Sequence, residues 1–145
     1  MTKALFLILA FSFAVALSAQ KPARTPKAVP GGAAERGRYL VEDVGMCGEC
    51  HSPRDAQGNL DRARWLQGAP TWFTPVHAMR NWAYTAPALA GLPSFSDADM
   101  TNILEKGLTP EGAPIRPPMH VYHMTHEDAA AIAAYLRSLK PAGGE

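Results

Sequence analysis

Residues 47–51 read Cys47-Gly48-Glu49-Cys50-His51, and no other cysteine occurs in the 145-residue chain. C-x-x-C-H is the attachment signature of c-type haem. Each sulfur can add across one vinyl group of the porphyrin to form a thioether. The adjacent histidine is carried across the ring face as proximal iron ligand. Two intervening residues let one turn of chain present both sulfurs to one ring. Cys47 and Cys50 are therefore the candidate attachment sites, His51 the candidate proximal ligand, and one covalent haem c the candidate cofactor.

Other chemistries use two cysteines. A redox dithiol usually lies in a strand–helix context, and no βαβ alternation is visible. A zinc site needs four ligands. No second C-x-x-C exists, although His120, His123 and His126 could supply nitrogen. A disulfide closing so tight a loop gains little entropy. An exported zinc or thiol module without haem is the alternative these readings leave.

Working towards the N-terminus, residues 1–19 read as a signal peptide. Lys3 precedes an apolar run from Ala4 to Leu17, 14 residues long, and small residues follow at Ser18 and Ala19. That length is short for a bilayer span and suits a signal core. Retained, it would be a membrane anchor. Either way the expected location is periplasmic or otherwise extracytoplasmic. Residues 20–32, with three prolines and a Gly-Gly pair, read as a flexible tether. The domain is expected at 33–141, with a tail at 142–145. The formal charge of +1 falls to about zero once Lys3 is removed. No basic patch points to nucleic acid.

Three helices follow from periodicity and caps, and the fold class is all-α. The first is expected over 33–44, with Ala34, Gly37, Leu40 or Val41, and Val44 on one stripe. Gly37 costs about 1 kcal/mol in mid-helix, so close approach of another helix is its expected role. The second is expected over 97–106, N-capped by Ser96 and stopped by Gly107. The third begins at an N-cap Thr125, with Asp128 completing a short capping box. Its stripe is Ala129, Ile132, Ala133, Leu136 and Leu139. Between Ser52 and Pro93 lie five of the thirteen prolines and all three tryptophans. Only a weak helix near Leu60–Leu66 and a turn at 57–59 stand out there. So long a loop region suits wrapping a large flat cofactor.

Six methionines and five histidines compete for the sixth iron position. Met46 adjoins Cys47 and is poorly placed for the opposite ring face. Met100 pairs with Phe95 as a hydrophobic staple, and Met124 holds the matching position before the last helix. Met119 follows Pro117-Pro118 in a non-helical segment with no periodic partner, and the prolines stiffen its approach. Met119 is the favoured distal ligand. Met124, His77 and Met79 are the outsiders. His120, beside Met119, would point away from the ring, and His123 and His126 flank the last helix cap.

Taken together, Cys47–His51 and a proline-guided Met119 resemble a class I c-type cytochrome over roughly Ala33 to Leu139. Gly37-Arg38-Tyr39-Leu40-Val41 resembles the helix preceding the haem motif in that family. Residues 124–139 resemble its closing helix. The resemblance implies the cytochrome c fold: three to four helices, with long loops, around one haem. It also implies that the first and last helices cross at near right angles, with Gly37 and Tyr135 at the crossing. Pro117-Pro118-Met119 is similar to monohaem domains attached to dehydrogenases and oxidases. The segment from Ser52 to Pro93 is longer than in small members. Its Trp65, Trp72, Phe73, Trp82 and Tyr84 are expected to shield the haem edge, or else to form a docking surface. Trp82, Tyr84, Arg54, Arg62, Arg64 and Arg80 are candidate partners of the haem propionates.

The expected function is extracytoplasmic electron transfer, not enzymatic catalysis. The protein would act as a carrier or as the cytochrome subunit of a respiratory or dehydrogenase complex. Expected partners are a dehydrogenase, an oxidase or another cytochrome, with membrane proximity through a complex or a retained signal. A weakly held sixth ligand would instead allow a gas- or peroxide-binding sensor or enzyme.

Overall fold

The computed structural model describes residues 32–141. The expected signal peptide, almost all of the expected tether and the tail lie outside the described residues. The elements in chain order are α1 (Gly32–Tyr39), a π-helical turn (Leu40–Val44), α2 (Gly48–His51), a 3₁₀ turn (Arg62–Arg64), β1 (Ala69–Pro70), β2 (Thr85–Ala86), α3 (Asp97–Lys106) and α4 (His126–Ser138). Four helices with long loops between them match the expected all-α architecture.

α1 packs against α4 through Gly37. A Cβ there would lie 1.9 Å from the Ala131 carbonyl oxygen and 2.8 Å from Tyr135 Cβ. The absent side chain is what lets the two backbones touch. Two polar contacts frame the crossing. Arg36 Nε donates to Asp128 Oδ1 at 2.9 Å, and Tyr135 Oη donates to Glu42 Oε1 at 2.6 Å. α1 ends in the π turn, which alters the expected stripe. Leu40 and Val41 are buried, but Val44 is half exposed. The wider turn carries Val44 off the face that a uniform α-helix would have kept inward.

α3 carries the expected capping box. The Asp99 N–H donates to Ser96 Oγ at 3.1 Å, and the Ser96 N–H donates to Asp99 Oδ2 at 2.9 Å. Gly107 ends it with φ +68°. α4 differs in one detail. Thr125 Oγ1 accepts from the Asp128 N–H at 3.2 Å, but the Asp128 carboxylate turns to Arg36 instead of closing a box. At the other end of α4, Arg137 donates to the Gly91 and Phe95 carbonyls and to Asp97 Oδ1. It ties α4 to the loop that enters α3.

The long loop region is ordered by backbone pairings. β1 and β2 pair antiparallel, Ala69 with Ala86 and Pro70 with Thr85. No alternation in the sequence marks this small sheet, whose strands are two residues each. The weak helix near 60–66 reduces to the 3₁₀ turn, N-capped by Asp61. The core gathers Leu40, Val41, Leu66, Leu89, Leu92, Met100, Leu104, Ile132 and Leu136.

Candidate cofactor site

The C-x-x-C-H stretch forms the single turn of α2. Its four-residue repeat is closed by the His51 N–H donating to the Cys47 carbonyl at 3.0 Å. Trp65 lies against this turn: a Cβ on Gly48 would meet its ring at 2.0 Å. Met46, just before the turn, has φ +46°, a costly conformation for a side-chain residue. After the turn, Ser52 is buried, and its Oγ accepts from the Leu66 N–H at 2.8 Å. The Gly68 N–H donates to the His51 carbonyl at 2.8 Å. β1 begins at the next residue, and pairing with β2 brings Pro87 beside the histidine.

That placement fixes the imidazole. His51 Nδ1 lies 2.8 Å from the Pro87 carbonyl oxygen. A carbonyl only accepts, so Nδ1 carries the proton and Nε2 keeps its lone pair. Nε2 has no hydrogen-bond partner among the described residues. Burial holds the His51 pKa below the ordinary imidazole value, with the Pro87 hydrogen bond acting in the opposite sense. The result is a neutral, oriented imidazole with a free nitrogen, the form that binds metals.

His51 opens onto a cavity of about 450 Å³, within the range of cofactor sites. Cys47, Cys50 and Met46 lie on its rim or wall, and Leu89, Ile103, Leu104, Ile132 and Leu136 make it apolar. Met119 lines the same cavity. It arrives on a segment fixed at both ends. The Ala83 N–H donates to the Pro117 carbonyl at 2.7 Å, and Tyr122 Oη donates to the Gly45 carbonyl at 3.2 Å. Met100 also lines the space, and so does His120, against the expectation that a residue next to Met119 points away from it. Met100 is a buried member of the core, against which Phe95 packs. Met124, His77 and Met79 do not reach the cavity wall.

The aromatic loop departs from expectation. Only Phe73 and Ala83 of residues 72–84 line the cavity, and Trp72, Met79 and Tyr84 are exposed. Trp82 stands behind Phe73, their ring centroids 5.7 Å apart. None of Arg54, Arg62, Arg64 and Arg80 lines the cavity. Arg54 pairs with Glu49, Arg64 with Asp61, and Arg62 stacks over Trp65 at 4.2 Å. The arginine that does line the cavity is Arg116, which carries no local signal beyond its place before Pro117. Pro87, Gly68 and Ser52 are likewise site residues that the sequence does not flag.

The alternative chemistries lack support in this arrangement. Burial pushes the Cys47 thiol up to about 11 and raises that of Cys50 too, whereas reactive dithiols have depressed values. Among the described residues, no three His, Cys, Asp or Glu side chains gather as a metal-holding group. A model of the family described as Cytochrome c matches residues 34–140. This chain belongs to the cytochrome c family. Relatives include a diheme cytochrome c-type protein of Cereibacter sphaeroides, 37% identical over 71% of this chain and 34% of its own. The cytochrome subunit of fructose dehydrogenase from Gluconobacter japonicus is 32% identical over 76% of this chain and 22% of its own. The cytochrome c subunit of gluconate 2-dehydrogenase from Pantoea cypripedii is 33% identical over 72% of this chain and 25% of its own. The chain thus spans between about a fifth and about a third of these relatives' length.

Cytochromes c are electron-transfer proteins carrying covalent haem c, and the cavity of this cytochrome suits that group. Two sulfurs and a free imidazole nitrogen share its wall, and the rest of the lining is largely apolar. Trp82 Nε1, behind Phe73 and off the cavity wall, is buried with no hydrogen-bond partner among the described residues. Among the described residues, no helix is long and apolar enough to cross a membrane.

Proposed function

We propose that this cytochrome is an extracytoplasmic electron-transfer domain with a single haem c on Cys47 and Cys50, ligated by His51 and Met119. It acts as a carrier or as the cytochrome subunit of a dehydrogenase or respiratory complex. Residues 1–19 export it, 20–32 tether it, 33–141 form the domain and 142–145 a tail. The observation that carries the reading is the His51–Pro87 hydrogen bond at 2.8 Å. It leaves Nε2 as a donor on the cavity that Cys47, Cys50 and Met119 also line.

The bound haem supplies a one-electron ferric–ferrous couple. The chain does the rest. Pro87 holds the imidazole in one tautomer and orientation, so the proximal donor needs no rearrangement between oxidation states. Met119 offers a soft thioether, and the apolar wall disfavours added charge. Both effects favour the ferrous form and raise the potential. Leu89, Ile103, Ile132 and Leu136, on the cavity wall, would keep water from the haem held there. Relatives that are subunits of fructose, alcohol and gluconate dehydrogenases support a place in such a complex.

The test is the optical spectrum of protein made in a host with haem-attachment machinery. Sharp low-spin bands with a far-red sulfur-to-iron band are expected, and Met119→Ala should abolish that band. Low-spin bands without it would move the sixth ligand to a histidine. A high-spin spectrum would reject the closed sixth position.

A further inference from the structure

Loop 71–84 presents apolar side chains to solvent. Trp72 is 60% exposed, Tyr84 59% and Val76 94%. The fold does not need Val76 there, because it is almost fully solvated. Yet the inner side of the loop reaches the cavity through Phe73, whose ring stands edge-on to Trp72 and Trp82 at 5.0 and 5.7 Å. A surface laid on this loop would be one layer of side chains from the cofactor space.

Glu49, whose carbonyl accepts from Trp72 Nε1 at 3.1 Å, borders this face but is neutralised by Arg54, so the unpaired charges here have one sign. The loop contains no Asp, Glu or Lys. Arg80 and Arg116 enter no ion pair among the described residues. Arg116 is held beside the loop by the bond from the Ala83 N–H to the Pro117 carbonyl. Tryptophan, tyrosine, methionine and arginine without lysine or acids is the composition of a protein–protein contact. An anionic membrane surface is instead met by clusters of four to eight Lys or Arg, more than this loop supplies.

We infer that loop 71–84, with Arg80 and Arg116, is the docking surface for a redox protein whose contact patch is apolar with an acidic rim. Electrons enter or leave the cofactor across Phe73. This rests on the electron-transfer reading above and adds where the partner sits and what it must look like. The competing face is the exposed pair Val44 and Met46 next to Cys47. It adjoins the acids Glu42 and Asp43, so it would repel the same partner.

A gold electrode coated with mixed methyl- and carboxylate-terminated thiols stands in for such a partner. The haem-loaded full chain is compared with Val76→Asp and Arg80→Glu, two changes on exposed side chains. Val44→Asp serves as the control on the other face. The electron-transfer rate should fall about tenfold in the loop variants and stay at the parent value in Val44→Asp. Midpoint potential and melting temperature should be constant throughout. Slowing by Val44→Asp alone, or by none of the three, overturns the proposal. So does pelleting with anionic phospholipid vesicles that the loop variants abolish, which would assign the face to lipid. A dimer in sedimentation that the same variants dissociate would assign it to a second copy and also overturn it. A parent protein with no haem bands and no voltammetric wave fails at the electron-transfer reading itself. A normal wave indifferent to the loop sinks the docking surface alone.

Discussion

Two glycines show how single residues set the geometry. Gly37→Ala should gain about 1 kcal/mol of helix propensity. It would also drive a methyl to 1.9 Å from the Ala131 carbonyl oxygen. Backbone cannot rotate out of the way, and overpacking of this kind costs about 1–3 kcal/mol or more. The net expectation is a loss of about 2 kcal/mol in urea denaturation. Parent-like stability would mean that α1 and α4 slide apart at no cost. Gly48→Ala meets the Trp65 ring at 2.0 Å, and its effect should reach the haem-attachment turn. Reduced haem incorporation at unchanged expression, read from the Soret-to-protein absorbance ratio, is the expected outcome. Rescue by Trp65→Leu would show that the clash is the cause. Gly37 was legible as a mid-helix glycine. Ser52, Pro87 and Arg116 were not, because their roles come from partners distant in sequence. Pro87 acquires its role only when it reaches His51, 36 residues away.

At the scale of elements, what can be read locally was read. α3 forms where Ser96 and Gly107 bound it, because cap chemistry is contained within a few residues. The β1–β2 pair escaped, since two two-residue strands carry no period to detect. The π turn escaped too, because nothing in Leu40–Val44 marks a wider helix. The capping box of α3 makes a specific prediction. The Ser96 hydroxyl, then its backbone N–H, hold the Asp99 carboxyl below its ordinary value of 3.8. A depressed folded-state value contributes stability above the unfolded value and loses it as pH falls through the folded one. The domain should therefore lose part of its stability below about pH 4, and Asp99→Asn should flatten that limb of the stability–pH curve. An unchanged acid limb in Asp99→Asn would remove Asp99 from the account. Ser96→Ala should cost about 1 kcal/mol at neutral pH, as lost N-caps do.

At the scale of the whole molecule, the core and the cofactor space are one structure. Leu89, Met100, Leu104, Ile132 and Leu136 belong to the core, and all five also line the cavity. The aromatic loop follows the same logic: of residues 71–84 only Thr71, Phe73 and Ala83 line the cavity, so its tryptophans could not be placed from burial preference alone. Without the haem, the largely apolar walls of this space of about 450 Å³ would face water, and the burial they forgo is a large loss for a domain whose net stability is small. The chain made without haem should therefore have no fixed core. Thermal unfolding followed by near-ultraviolet dichroism should show no cooperative transition, while α1, α3 and α4 leave residual far-ultraviolet signal. The haem-loaded chain should melt in one sharp step. A sharp, single transition in the haem-free chain would mean that the loops close over the space unaided and that the cofactor is an addition to the fold and not part of its core.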